Sequence, residues 1–191
     1  MSRPREFDVD RVLHQSMEVF WSKGFKSTSY EDLTRMTGVK KQSLYCVFND
    51  KRALFLKALA HYREQSIALL KELEEQNISP LEKLDSLRSS LLNDGAFCRG
   101  CLMVNSSLEF GKEDEQVTRE IELMFAEAEQ VLEKIIRSGQ QQQLITSRFS
   151  SKELAAYLNN AISGARILEK SGAAREQIEA VLRTSFAMIS P

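Results

Sequence analysis

Apolar residues recur at three- and four-residue intervals along most of the chain, the spacing that places them on one face of an α-helix. The first such stretch follows Asp8, a residue type that caps helix starts. It carries Val9, Val12, Leu13, Met17 and Phe20 on one face until Gly24 ends it. Thr28-Ser29-Tyr30-Glu31 has capping-box spacing, with Thr28 as the cap and Glu31 reaching back. It opens a short helix ending near Thr37, where Gly38 allows a turn closed to bulkier residues. A third helix is expected over about residues 40–48, and Asn49-Asp50 then cap a long one from Lys51 to about Gln76. Ser79-Pro80-Leu81-Glu82 supplies a cap, a proline at the first helical position and a glutamate three residues after the cap. The helix it opens reaches Leu92, residues 96–104 read as irregular, and a short helix follows over about 105–110. A long helix is expected from about Asp114 to Ser138, with Gly139 ending it. Ser150-Ser151-Lys152-Glu153 is another capping box, opening a helix to about Lys170, and a last helix covers about residues 173–189. The predicted fold class is all-α, with about nine helices and no strand.

Composition supports this reading: 8 Gly and 3 Pro in 191 residues favour long helices over strands and turns. The chain has no apolar run of about 18 residues, so no membrane span is expected. The opening Met1-Ser2-Arg3-Pro4-Arg5-Glu6 is not followed by the apolar run of a secretory signal, and a cytoplasmic location is expected. Three cysteines cannot all pair, which argues against a disulfide-stapled fold. The net charge of -1 hides an asymmetry: residues 1–60 carry 11 Lys/Arg against 7 Asp/Glu, and the remainder is acidic. A basic end on an acidic body is what phosphate binding by that end requires, if the same segment also carries a DNA-reading motif.

Residues 30–48 supply the candidate motif. Two short helices flank a glycine turn, and Leu33, Val39, Leu44 and Phe48 fall where they can lock both against the first helix. That leaves Lys41, Gln42, Ser43 and Tyr45 on the outer face of the second short helix, the geometry that enters a major groove. Lysine can contact phosphate or guanine, glutamine can pair with adenine, and serine and tyrosine hydroxyls can bond phosphate oxygens. Arg3 and Arg5 have two readings, a minor-groove arm or a solvated basic tail.

The run from Phe20 to Leu54 combines Gly24-Phe25, Thr28-Ser29, Asp32-Leu33, Thr37-Gly38-Val39, Ser43-Leu44-Tyr45, Val47-Phe48 and Asp50-Lys51. In this it resembles the DNA-binding domain of the TetR/AcrR family of transcriptional regulators. The resemblance implies an N-terminal three-helix helix-turn-helix domain over residues 1–50. A helical effector-binding and dimerisation domain over 51–191 would follow it. It further implies that Tyr45 and Lys51 touch phosphates, that Lys40, Lys41, Gln42 and Ser43 face bases, and that Thr28 and Ser29 contact the DNA backbone. Lys40 departs from the family pattern of Ser, Thr or Asn, and a lysine cannot accept a capping bond.

The implied function is a ligand-responsive repressor that binds a palindromic double-stranded DNA operator as a homodimer and is released by a small-molecule effector. Its dimer contact would use the last two helices, where Ala155, Ala156, Ala161, Gly164 and Ala165 permit close helix approach. No effector-binding residue is assigned. Cys98-Arg99-Gly100-Cys101 has CxxC spacing, but no second CxxC or histidine cluster accompanies it. Structural packing is therefore the first reading of Cys98 and Cys101, with thiol or metal sensing second and a thiol oxidoreductase last; Arg99 could lower the Cys98 pKa. Cys46 reads as a small filler within the recognition helix. No phosphate-binding glycine loop, paired-carboxylate site or nucleophile triad is present, so neither enzyme activity, nor a cofactor, nor a resident metal is expected.

Overall fold

The computed structural model describes residues 7–93 and 99–190, so Arg3, Arg5 and Cys98 lie outside the described residues. Among these residues the chain forms nine α-helices and no strand. They are α1 (Val9–Lys23), α2 (Tyr30–Thr37), α3 (Lys41–Phe48), α4 (Lys51–Glu75), α5 (Pro80–Asn93), α6 (Leu102–Phe110), α7 (Glu115–Gln141), α8 (Ser151–Lys170) and α9 (Arg175–Ala187). None is long and apolar enough to cross a membrane.

Most helix starts follow their side-chain caps. Asp8 accepts from the Asp10 and Arg11 amides, Asp50 from the Ala53 amide, and Ser150 exchanges bonds with Glu153. Three boundaries differ from the sequence expectation, each for an identifiable packing or capping reason. The box that opens α2 is Ser29 with Asp32, one residue later than Thr28 with Glu31. Thr28 is turned inward, where its hydroxyl donates to the Gly24 carbonyl at 2.6 Å, and Ser29 takes the extended backbone a cap needs. Helix α6 begins at Leu102, because Leu102, Met103 and Val104 are all buried and three adjacent apolar residues mask the helical period. Gly139 does not end α7 but lies within it. A Cβ there would meet Ile145 Cδ1 at 2.5 Å and Pro80 Cβ at 3.2 Å, so the glycine admits neighbours to the helix surface.

Two apolar cores organise the chain. One gathers Val12, Phe20, Leu33, Leu44, Phe55 and Leu59 with Met103, Phe110 and Val117, joining α1–α4 to α6 and the start of α7. At its centre Phe55 lies 5.0 Å from Phe20, 5.0 Å from Phe25 and 5.5 Å from Phe110, ring to ring. The other gathers Leu84, Leu132, Ile136, Leu158, Ile178 and Leu182 from α5, α7, α8 and α9. Helix α4 runs from the first towards the second, and Arg63 at its middle ties it to Glu120 and Glu127 of α7 at 3.1 and 2.7 Å.

The angle between α1 and α2 is set by one carboxylate. Asp32 accepts from Lys23 of α1 at 2.6 Å, from Arg35, and from the Ser29 amide and hydroxyl. The Lys23 bond, with help from Ser29, holds its pKa well below the usual carboxylate range. A depressed folded-state pKa gives stability that is present above the unfolded value and lost in acid. Asp32→Asn should therefore lower the melting temperature at pH 7, and the deficit should shrink only below about pH 4, the unperturbed aspartate range. Thermal melts between pH 7 and pH 3 check this; a deficit that stays constant into acid contradicts it.

Candidate nucleic-acid interface

Helix α3 is amphipathic across its short axis. Leu44 and Phe48 are buried against Leu33 and Val39, which bolts the helix to α2 and the α2–α3 turn. Gly38 makes that turn in the left-handed region, φ 70°, with its amide donating to the Thr34 carbonyl. Lys40, Lys41, Gln42, Tyr45 and Cys46 are exposed and Ser43 is half-buried, so the polar face points away from the core. Lys40 occupies the N-cap with no side-chain capping bond, and no acidic residue stands in the first turn of α3. Its orphan amides and two lysines therefore make this helix end an electropositive edge.

Two aromatic rings shape that edge. Tyr30 and Tyr45 lie 5.0 Å apart, and the Lys41 ammonium sits 4.6 Å from the Tyr30 ring and 5.7 Å from the Tyr45 ring. The Tyr30 hydroxyl accepts from the Lys51 amide at 2.9 Å, which caps α4 on the α2 side. Burial, followed by the neighbouring Tyr45, pushes the Tyr30 phenol up to about 12, so it stays protonated at neutral pH.

The sequence-predicted residues thus separate into two groups. Lys40, Lys41, Gln42, Ser43 and Tyr45 converge on one surface. Lys51 and Thr28 are engaged internally: the Lys51 ammonium donates to the Phe25 and Thr28 carbonyls at 3.0 and 2.9 Å, and Thr28 is 2% exposed. Ser29 is exposed beside them, with its hydroxyl in the α2 capping box. Cys46 is not a core filler. It lies one turn after Gln42 on the exposed face, where Lys41, Gln42, Tyr45 and Cys46 line a shallow depression. The i, i+4 spacing from Gln42 is the signal in the sequence that would have placed it there.

Cys101 is buried at the N-cap of α6, and the Tyr62 hydroxyl donates to its sulfur at 3.4 Å. Arg99 pairs with Glu18 and stacks 4.2 Å over the Trp21 ring. No group of three or more His, Cys, Asp or Glu side chains among the described residues could hold a metal ion.

Comparisons with known proteins agree with this arrangement. The family profile described as bacterial regulatory proteins, tetR family, matches residues 12–58, and that described as tetracyclin repressor-like, C-terminal domain, matches residues 80–185. An uncharacterized HTH-type transcriptional regulator of Bacillus subtilis, YezE, is 28% identical and aligns with 99% of this chain and 100% of its own. The HTH-type transcriptional repressor ComR of Escherichia coli is 26% identical over 97% of this chain and 90% of its own. Among solved structures, a cysteine mutant of the TetR family regulator CifR complexed with 26bp double-strand operator DNA is 27% identical. It superposes with a TM-score of 0.82 and covers 98% of this chain and 100% of that one. A TetR family regulator from Agrobacterium tumefaciens shares the fold, with a TM-score of 0.86 at 22% identity over 95% and 97% of the two chains. The chain belongs to the TetR family of transcriptional regulators.

Proposed function

We propose that this regulator is a repressor that binds a palindromic operator as a homodimer and leaves it when a small molecule occupies the helical body. The observation that carries the reading is the single outward row of Lys41, Gln42 and Tyr45 on a short helix braced from behind by Leu44 and Phe48. In the groove, Lys41, Gln42 and Ser43 read base edges, Lys40 adds charge at the helix start, and Tyr45 donates to a phosphate. Ser29 reaches the adjacent backbone, while Thr28 and Lys51 serve by holding the α1–α2 turn against the start of α4. CifR, whose structure holds operator DNA, and the repressor ComR support this reading.

Dimerisation is proposed through the last two helices, the division at residue 50 separating the DNA-reading part from the part that pairs and senses. Tyr157, Asn160, Gly164 and Ile167 form an exposed stripe along α8, and Val181 and Thr184 of α9 form another with Met188 at its C-cap. Uncharged stripes at helical spacing on adjacent helices, with Tyr157, Ile167, Val181 and Met188 as their apolar members, suit a second copy of the same face. Two heads would then meet major grooves about 34–36 Å apart, and an effector that favours another spacing would release them. Helix α4 is the lever in this scheme, because it links the DNA-reading head to the second core.

A second reading, release by thiol modification, is favoured by one contact. The Cys101 sulfur sits at a helix N-terminus and accepts from the Tyr62 phenol, which burial keeps protonated. Replacing Cys98 and Cys101 with serine should abolish release by oxidants under that reading and leave it unaltered if the thiols only pack.

Selection from a random DNA pool is expected to yield a palindrome. Against that site, Lys41→Ala and Tyr45→Phe should each lose about tenfold in affinity, the scale of one charged or base contact, with helix content and oligomeric state unchanged. Wild-type affinity in both variants would remove these residues from the interface. Nothing lies within 4 Å of a Cβ built on Gly164, so Gly164→Arg leaves the protomer intact. Sedimentation should then show a monomer; a dimer of unchanged strength would place the contact elsewhere.

A further inference from the structure

Helix α6 reaches the DNA-reading head through one carboxylate. Glu109 accepts from the Phe25 amide at 2.9 Å through Oε2 and from the Lys26 amide at 2.6 Å through Oε1, across more than eighty residues of sequence. Its own carbonyl receives the Lys26 ammonium at 3.1 Å. The two amides follow the end of α1, where the chain turns at Gly24 with φ 81° and successive N–H groups point the same way. Such a concavity is an anion site made of backbone, and here the anion is a side chain of the body. Gly24 is fitted to it twice. Its φ is one that other residues avoid, and a Cβ there would stand 2.9 Å from Glu109 Oε2.

The same turn carries the rest of the head. The Phe25 carbonyl takes the Lys51 ammonium that starts α4, and the Gly24 carbonyl takes the Thr28 hydroxyl just before the α2 cap. Phe25 packs its ring 5.3 Å from Phe110, the residue after Glu109. Just before the other end of α6, the Gly100 carbonyl accepts from Trp21 of α1 at 3.1 Å, so α6 is tied at one end to α1 and at the other to the turn that follows it. Tyr62 of the lever α4 donates to Cys101 at the start of α6, which joins those two helices as well.

We propose that Glu109 is a positioning residue for operator binding: by gripping the Phe25 and Lys26 amides it sets the orientation of the helix-turn-helix on the body. The inference rests on the DNA-binding reading for its consequence but not for its geometry. A shift of α6 carries the α1–α2 turn with it, and the turn carries α2, α3 and the start of α4. Without the carboxylate the head stays seated on the core it shares with α4 and α6 and loses its fixed direction.

Hydrogen exchange of the full-length protein tests the grip without DNA. Lys26 is exposed and lies outside any helix, yet its amide and that of Phe25 should exchange slowly in the wild type. Glu109→Gln offers one acceptor oxygen and turns its amide donors towards the remaining N–H. It should speed exchange at residues 25 and 26 by about tenfold or more, as expected for losing a charged acceptor, with the interiors of α1 and α7 unchanged. Glu109→Asp keeps the charge but is too short for both amides, and should fall between the two. Fast exchange at these amides in the wild type, or no change in either variant, overturns the grip. Against a selected operator, Glu109→Gln should bind about tenfold more weakly at unchanged oligomeric state. Faster exchange with affinity within about twofold of wild type overturns the positioning role. If the wild type selects no operator, the DNA-binding reading fails and the positioning role falls with it, while the exchange result still decides the grip.

Discussion

The packing of Phe55 against Phe20, Phe25 and Phe110 is the contact on which the rest of the molecule depends. These rings come from α1, the α1–α2 turn, α4 and α6, so the first three helices do not close a core of their own. Their apolar side chains are buried partly against one another and partly against the body. Aromatic pairs in such edge, tilted and stacked arrangements contribute about 0.5–1.5 kcal/mol each beyond the area they bury. The head is thus seated on α4 and α6 by the hydrophobic term, which is strong but non-directional.

Direction comes from polar contacts around that seat. Asp32 fixes α2 against α1, Lys51 fixes the start of α4 against the α1–α2 turn, and Arg52 grips Asp114 with two bonds of 2.7 and 2.8 Å where α7 begins. Each is short and charge-assisted, and the Lys51 and Arg52 contacts join residues more than twenty apart in sequence. Most are partly exposed, so their worth to overall stability is small. Their value is geometric, because a surface that must match a groove needs a defined angle more than it needs extra stability.

This division explains why one stretch of chain both builds and displays the proposed DNA surface. Along α3 Leu44 and Phe48 are buried, while Lys41, Gln42 and Tyr45 stand exposed on the solvent side. Cys46, exposed on that same side, belongs to the surface and not to the core. Tyr30 plays both parts, flanking Tyr45 with its ring and capping α4 with its hydroxyl.

The all-α architecture, the order of the helices and the outward face of residues 40–45 could be read from the chain, because helical periodicity and caps are local properties. Asp8, Asp50, Ser79 and Ser150 announce their helices through bonds that reach only two or three residues. Contacts outside the helical pattern, some near in sequence and some distant, decided what periodicity and caps could not. Thr28 and Ser29 are both plausible caps in isolation, and only the Gly24 carbonyl, by taking the Thr28 hydroxyl, leaves Ser29 to do it. Gly139 looks like a helix end until Ile145 and Pro80 are found against it. Lys51 looks free to meet a phosphate until Phe25 and Thr28 present their carbonyls. Glu109 carries no local signal, since the amides it holds belong to residues 25 and 26 and come within reach only once the first core has closed.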